Sequence, residues 1–440
     1  MSNLLEPPWV WPRSAYIHVP FCAHHCGYCD FAIAVNQDSL IDSYLAALKT
    51  ELARLETPQR VETLFLGGGT PTHLSARQLA GMLESISNWV QCSPHAPREE
   101  RAQPSITSGL SRDDESTGEP VNPQISGTHR SLPEHADFQG LRPILTRSVR
   151  TALEFSVEAN PGTLDADKIA VLAEHGVNRL SLGVQSFHRD LLTTLERDHQ
   201  PEDVSFALMD RIRRHIPEVS LDLIFGVPGQ TVQQWQDDLR QALALEPDHI
   251  ATYGLTYEKG TPLWKQRERG QVHGLDEDTE LAMYTTAMDM LETAGFEHYE
   301  ISNFAKPGHR CRHNQVYWAN HAYFGFGMGA ARYVRGVREL NTRDLATYIK
   351  RLQTGASPTF QSECLELRDR ALETVAVQLR RADGIERPAF QVQTGFVLDE
   401  LVAGPLGHLT ELGMLVDDGV SVRLSRSGKC VADAVVSKVL

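Results

Sequence analysis

The chain has 440 residues, with 42 basic and 57 acidic side chains and a formal charge of −15. That length allows two domains with an appendage, and a 41% hydrophobic share can fill a sizeable core. The acidic balance argues against a nucleic-acid partner, whose phosphates call for basic surface.

The opening Met1-Ser-Asn-Leu-Leu-Glu lacks a basic stretch followed by an apolar one, so no secretory leader is expected. No apolar run approaches the ~20 residues that span a bilayer. A cytoplasmic location is expected, with membrane contact at most peripheral.

Residues 15–19 read as a strand that ends at Cys22, Cys26 and Cys29. In this CxxxCxxC spacing three thiolates can hold three irons of a cubane cluster and leave the fourth iron open, whereas such clusters normally take four cysteines. Other readings are a zinc site completed by His18, His24 or His25, a disulfide in an oxidising compartment, or reduced structural thiols. Seven cysteines with three clustered near the N-terminus do not resemble a disulfide framework.

Ile41, Tyr44, Leu45, Leu48, Leu52 and Leu55 recur at helical spacing after Asp38, a candidate N-cap. A second strand over 61–66 runs into Gly67-Gly68-Gly69-Thr70. Glycines there let backbone amides approach a ligand closely, although a tight turn asks for the same residues. Residues 75–90 read as a helix with Leu79, Leu83 and Ile86 on one face. From 93 to 140 only six of 48 residues are Ile, Leu, Val or Phe, so a disordered insertion is expected there.

Strands follow over 153–159, 179–185, 219–225 and 249–255, separated by helices over 165–174, 201–215 and 231–245. Repeated βα units imply a parallel sheet with helices outside, open or closed into a barrel. Ligands of such sheets gather at the C-terminal strand ends. Glu158 ends the third strand, Gln185 ends the fourth, and Asp222 lies inside the fifth. A polar side chain in an apolar strand needs a partner. A buried polar pair would serve for any one of them, but their arrival at successive strand ends favours a polar ligand. Arg197 can neutralise a carboxylate, though alone it reads as a surface charge.

His313-Asn-Gln-Val-Tyr317-Trp318 combines an imidazole with aromatics. That suits a flat apolar macrocycle carrying iron, and packing at a domain junction is the commoner explanation. After about Arg335 the βα rhythm stops. Short helices and the turn Asp417-Asp418-Gly419 suggest a winged-helix-like accessory domain.

Taken together, the runs Tyr16–Cys22, Cys26–Phe31, Gly67–Thr72, Glu158–Pro161, Ser181–Ser186, Asp222–Thr231, Leu255–Pro262 and His313–Trp318 resemble radical S-adenosylmethionine (SAM) proteins of the coproporphyrinogen III oxidase-like group. The resemblance runs from Tyr16 to about Gly329, interrupted over 93–140, and continues more loosely beyond. It implies an α/β fold: a partial (β/α)6 barrel over 1–92 and 141–335 and a C-terminal helical, winged-helix-like domain over 336–440. It also implies a 4Fe–4S cluster on Cys22, Cys26 and Cys29, with SAM against Tyr16, Gly68, Gly69, Thr70, Glu158, Gln185, Arg197 and Asp222.

The oxidase resemblance calls for a further cysteine two places after Cys29, where Phe31 stands. The intact HNxxYW run belongs with the heme-chaperone branch. Both imply handling of heme and its transfer to an unidentified acceptor protein, and both put enzymatic decarboxylation in doubt. His313 is the candidate heme ligand, with His309, Cys311 and His321 as alternatives. An oxygen-independent coproporphyrinogen III oxidase is the second reading. A radical enzyme acting on RNA comes last, because the chain is acidic and shows no RNA-binding appendage.

Overall fold

The computed structural model describes residues 6–92 and 153–440, and the insertion expected over 93–140 lies outside them. Six parallel strands form the frame: β1 (Ser14–Val19), β2 (Thr63–Gly68), β3 (Glu154–Ala159), β4 (Arg179–Gln185), β5 (Glu218–Phe225) and β6 (His249–Gly254). Each pairs with the next in chain order. Their near-continuous Leu, Ile and Val content suits strands buried on both faces.

Helices α1 (Ile41–Leu52), α2 (Ala76–Ser87), α3 (Ala166–Glu174), α4 (Arg189–Thr194), α5 (Phe206–Arg213), α6 (Val232–Ala244) and α7 (Glu277–Thr293) accompany the strands. Leu79 and Leu83 of α2, Ile169 of α3, Ile212 of α5, Trp235 of α6 and Met283 of α7 share one core with the strands. The sheet stays a partial (β/α)6 barrel. Beyond β6 come antiparallel β7 (Glu297–His298) and β8 (Asn303–Ala305), and β9 (Phe324–Phe326) runs parallel to β1 at the other edge.

Helix starts follow local chemistry. Ser75 and Thr231 cap α2 and α6 through capping boxes with Gln78 and Gln234, and Asp165 caps α3. Asp38 does not cap α1. It opens a 3-10 turn, Asp38–Leu40, and its carboxylate lies 3.0 Å from His73 Nε2. The helix expected over 201–215 divides into a 3-10 turn, Pro201–Asp203, and α5, because Ser205 is extended and caps the second piece.

Helix α8 (Arg312–Trp318) carries the HNxxYW run. An unexpected antiparallel sheet follows: β10 (Ala331–Val334), β11 (Val337–Asn341) and β12 (Thr359–Cys364). The boundary expected at 335/336 is the tip of its first hairpin, where Arg335 and Gly336 both have positive φ. Leu345, Tyr348 and Leu352 of α9 (Leu345–Gln353) belong to the barrel core, and a second core starts at Ala371.

That second core joins α10 (Leu367–Gln378), α11 (Arg387–Thr394) and α12 (Leu398–Glu411). It also includes β13 (Ile385–Glu386) and the hairpin of β14 (Leu415–Asp417) and β15 (Ser421–Leu424). Gly419 turns that hairpin at φ +82, giving the winged-helix-like arrangement.

Candidate functional site at the C-terminal strand ends

The C-terminal ends of β1–β6 open into a cavity of about 860 Å³. Cys22, Cys26, Cys29, Tyr16, Gly68, Gly69, Thr70, Glu158, Gln185, Arg197 and Asp222 all line it. Segments distant in the chain therefore deliver the expected cluster and SAM positions to one place.

The cysteine loop is docked at several points. Gly27 N–H donates to the Leu195 carbonyl and the Gly27 carbonyl accepts from Leu263 N–H. Arg197 Nη1 donates to Cys26 Sγ at 3.4 Å and Nη2 to the Gly183 carbonyl at 2.9 Å. Its buried Nε has no partner among the described residues. Thr70 Oγ1 lies 3.6 Å from Cys22 Sγ. Burial pushes the Cys22 thiol up to about 12 and the Cys29 thiol to about 11.

Among the described residues no three His, Cys, Asp or Glu side chains are spaced to hold a single metal ion. Of the imidazoles of the zinc alternative, His24 lines the cavity with the cysteines, and the other two are engaged with neighbouring groups. His18 lies between Tyr16 Oη and the Ala32 carbonyl, and His25 Nε2 is 3.0 Å from the Cys29 carbonyl. Thiols spread around a loop suit a cluster, in which each binds a different iron.

Tight contact explains the glycines. Gly68 has φ +109, and a Cβ there would lie 2.3 Å from His18 Cε1. One on Gly69 would lie 2.6 Å from the Pro20 carbonyl oxygen. The expectation that these amides reach a ligand is not met. Gly68 N–H donates to Glu158 Oε2 at 3.0 Å, and Gly69 and Thr70 N–H donate to the Val19 and Phe21 carbonyls. The amides clamp the β2 loop to the cysteine loop and to Glu158.

Burial raises Glu158 to about 7, helped by the nearby Asp222, and raises Asp222 to about 6 against hydrogen bonds from the hydroxyls of Ser181 and Ser220. Gln185 reaches the cavity through a register shift in β4 and a φ of +66. Such strain is characteristic of functional sites.

His313 lies elsewhere. It is 1% exposed, with Nδ1 2.8 Å from Thr63 Oγ1, Nε2 2.9 Å from Tyr317 Oη, and its ring stacked on Phe65. Both nitrogens are engaged and burial lowers its pKa to about 4, so in this conformation it offers no nitrogen to an iron. Cys311 is also interior, donating to Glu154, which also accepts the backbone N–H groups of Arg312 and His313. Neither His309 nor His321 lines the cavity.

The residue that sequence reasoning missed is His18, considered only as a zinc ligand. Its signal was the one used for Glu158: a polar residue at the end of an apolar strand, Ile17-His18-Val19.

A radical SAM superfamily model matches residues 120–242, and a HemN C-terminal domain model matches residues 365–431. The heme chaperone HemW of Bacillus subtilis is 33% identical over 433 residues, covering 97% of this chain and 99% of the relative. HemW of Escherichia coli is 30% identical over 417 residues, covering 91% and 92%. A mitochondrial zebrafish protein named for its radical SAM domain is 29% identical over 449 residues, covering 99% and 88%. Coproporphyrinogen III oxidase (HemN) from Escherichia coli shares the fold, with a TM-score of 0.74 at 19% identity over 98% of this chain and 91% of that one.

A radical SAM protein implies a 4Fe–4S cluster and SAM, which together supply one-electron radical chemistry when bound. The cavity fits them. It holds three thiols on one loop, a buried guanidinium with an unused Nε, and the carboxylates of Glu158 and Asp222. On similarity that spans both cores, the chain belongs to the HemW family of radical SAM proteins.

Proposed function

We propose that this chain is a heme chaperone that binds heme and passes it to an acceptor protein in the cytoplasm. The observation that carries this reading is its likeness, over the whole chain, to proteins named heme chaperone. In the same reading Cys22, Cys26 and Cys29 ligate the cluster. Tyr16, Gly68, Gly69, Thr70, Glu158, Gln185, Arg197 and Asp222 surround SAM. Glu158 and Asp222 face its positive charge, Arg197 faces a carboxylate or a thiolate, and the buried wall of β-strands excludes water.

Coproporphyrinogen oxidation is the second reading, favoured by the completeness of the SAM cavity. Phe31 weighs against it: 67% exposed at the cavity lip, it occupies the place of the oxidase's further cysteine.

The test is an anaerobic heme titration of the cluster-loaded chain followed by absorption, with a parallel incubation with coproporphyrinogen III, SAM and a reductant. Heme binding without protoporphyrinogen formation is expected, and protoporphyrinogen would establish the oxidase instead. A His313→Ala variant that folds is expected to keep the heme band position. A displaced band would return the iron to that imidazole.

A further inference from the structure

His18 is 4% exposed at the end of β1, where the strand passes into the cysteine loop. Its Nε2 is 2.7 Å from the Ala32 carbonyl and its Nδ1 is 3.0 Å from Tyr16 Oη. A carbonyl only accepts, so Nε2 carries the hydrogen. Burial lowers the imidazole to about 4, which leaves it neutral and gives Nδ1 a lone pair. Tyr16 Oη must then donate to Nδ1. Burial also raises the Tyr16 phenol well above its ordinary value, so the phenol keeps its single hydrogen.

The arrangement cannot relax by turning the ring. A flip would set carbon atoms against both Ala32 and Tyr16. A Cβ on Gly68 would lie 2.3 Å from Cε1, so the ring fills the space that glycine leaves, and Tyr44 Oη donates to the His18 carbonyl.

We infer that His18, fixed as its Nε2–H tautomer by the Ala32 carbonyl, commits the only hydrogen of Tyr16 and so makes Tyr16 a pure acceptor in the cavity, selecting a ligand N–H or O–H group over a carboxylate. His18 is thus a positioning residue that acts through Tyr16. In SAM the matching group is the amino nitrogen or a ribose hydroxyl. This inference rests on the reading that Tyr16 contacts SAM.

A crossed pair of variants tests it. The amide of Asn reaches the position of Nδ1 and can still accept from Tyr16. The amide of Gln reaches the position of Nε2, holds Ala32, and frees the Tyr16 hydrogen to point into the cavity. Anaerobically reconstituted wild type, His18→Asn, His18→Gln and Tyr16→Phe are compared for iron and sulfide, for SAM dissociation constant, and for the change that SAM causes in the reduced cluster's electron paramagnetic resonance spectrum.

The Gln variant is expected to bind SAM roughly tenfold more weakly and the Asn variant within about twofold of wild type, with the spectral change following the same order. The reverse order would mean that His18 merely ties the cysteine loop to Ala32, and equal affinities would equally overturn the inference. If both variants lose the cluster, a neutron structure of the loaded wild type decides, because a deuteron on Nδ1 sinks the idea. SAM binding by Tyr16→Phe equal to wild type would instead overturn the SAM contact of Tyr16, while the neutron result would still stand for the tautomer.

Discussion

Glu158 and Asp222 are carboxylates that burial pushes toward the neutral form, to about 7 and about 6. Without ligand, the native chain holds at Glu158 a proton that the unfolded chain releases near the ordinary carboxylate value. This contribution to stability is present at acid pH and lost as pH rises through about 7. A sulfonium ligand reverses the preference, because it binds the ionised form. SAM affinity of the cluster-loaded chain should therefore rise with pH across the window from about 6 to about 7. Glu158→Gln should remove the upper part of that rise and weaken binding by ~1–3 kcal/mol. Dissociation constants measured across that range check this, and a flat wild-type profile would make both carboxylates structural. His313 calls for a different outcome. It is 1% exposed, with both ring nitrogens bonded. His313→Ala should lower unfolding stability by ~2–5 kcal/mol, read from the denaturant midpoint, whether or not heme is present.

At the scale of elements, the cysteine loop and the β2 loop are one object, joined by the Gly69 and Thr70 amides and by the ring of His18 under Gly68. Gly68→Ala adds a Cβ 2.3 Å from that ring at a φ of +109, a conformation that disfavours any side chain. The variant should keep its far-ultraviolet circular dichroism but lose iron and sulfide after reconstitution. Retention of a full cluster would show that the two loops move independently. The parallel strands were legible because strands buried on both faces leave unbroken apolar runs, and α2, α3 and α6 because Ser75, Asp165 and Thr231 announce them. The sheet of β10–β12 was not. Its directly opposed pairs include Arg332 with Glu339 and Arg338 with Glu363, and these charges interrupt the apolar alternation that marks a strand. The strand-end residues of the cavity were visible as polar interruptions of apolar runs. The partners of the glycine-loop amides were not, because pairing across distant segments leaves no local trace. For His313 the sequence leaves two readings open, because an imidazole among aromatics reads the same whether it packs against a sheet or faces a ligand.

Across the whole molecule two apolar cores meet at a polar seam. Gln378 and Gln393 donate to the Ala319 carbonyl, and Asn320 donates to Thr374 Oγ1, so α10 and α11 grip the C-terminal end of α8. The seam lies away from the cavity, whose lining residues all come from the barrel side of the chain or from Leu340 and Arg343. The seam also carries the Arg310–Asp383 and Arg426–Asp289 ion pairs and the Ala382 N–H to Tyr299 carbonyl bond, yet parts with separate apolar cores can unfold in separate steps. Phe390 is fully buried in the second core, so Phe390→Ala should cost ~3–5 kcal/mol there. Hydrogen exchange followed by mass spectrometry should show lost protection in α10–α12 and the β14–β15 hairpin, with β1–β6 unchanged. Cluster content and SAM affinity should match wild type. If iron and SAM binding fall together with protection of the C-terminal helices, the grip on Ala319 and Asn320 transmits strain through α8 and β2, where His313 bonds Thr63, and the two cores act as a single cooperative unit.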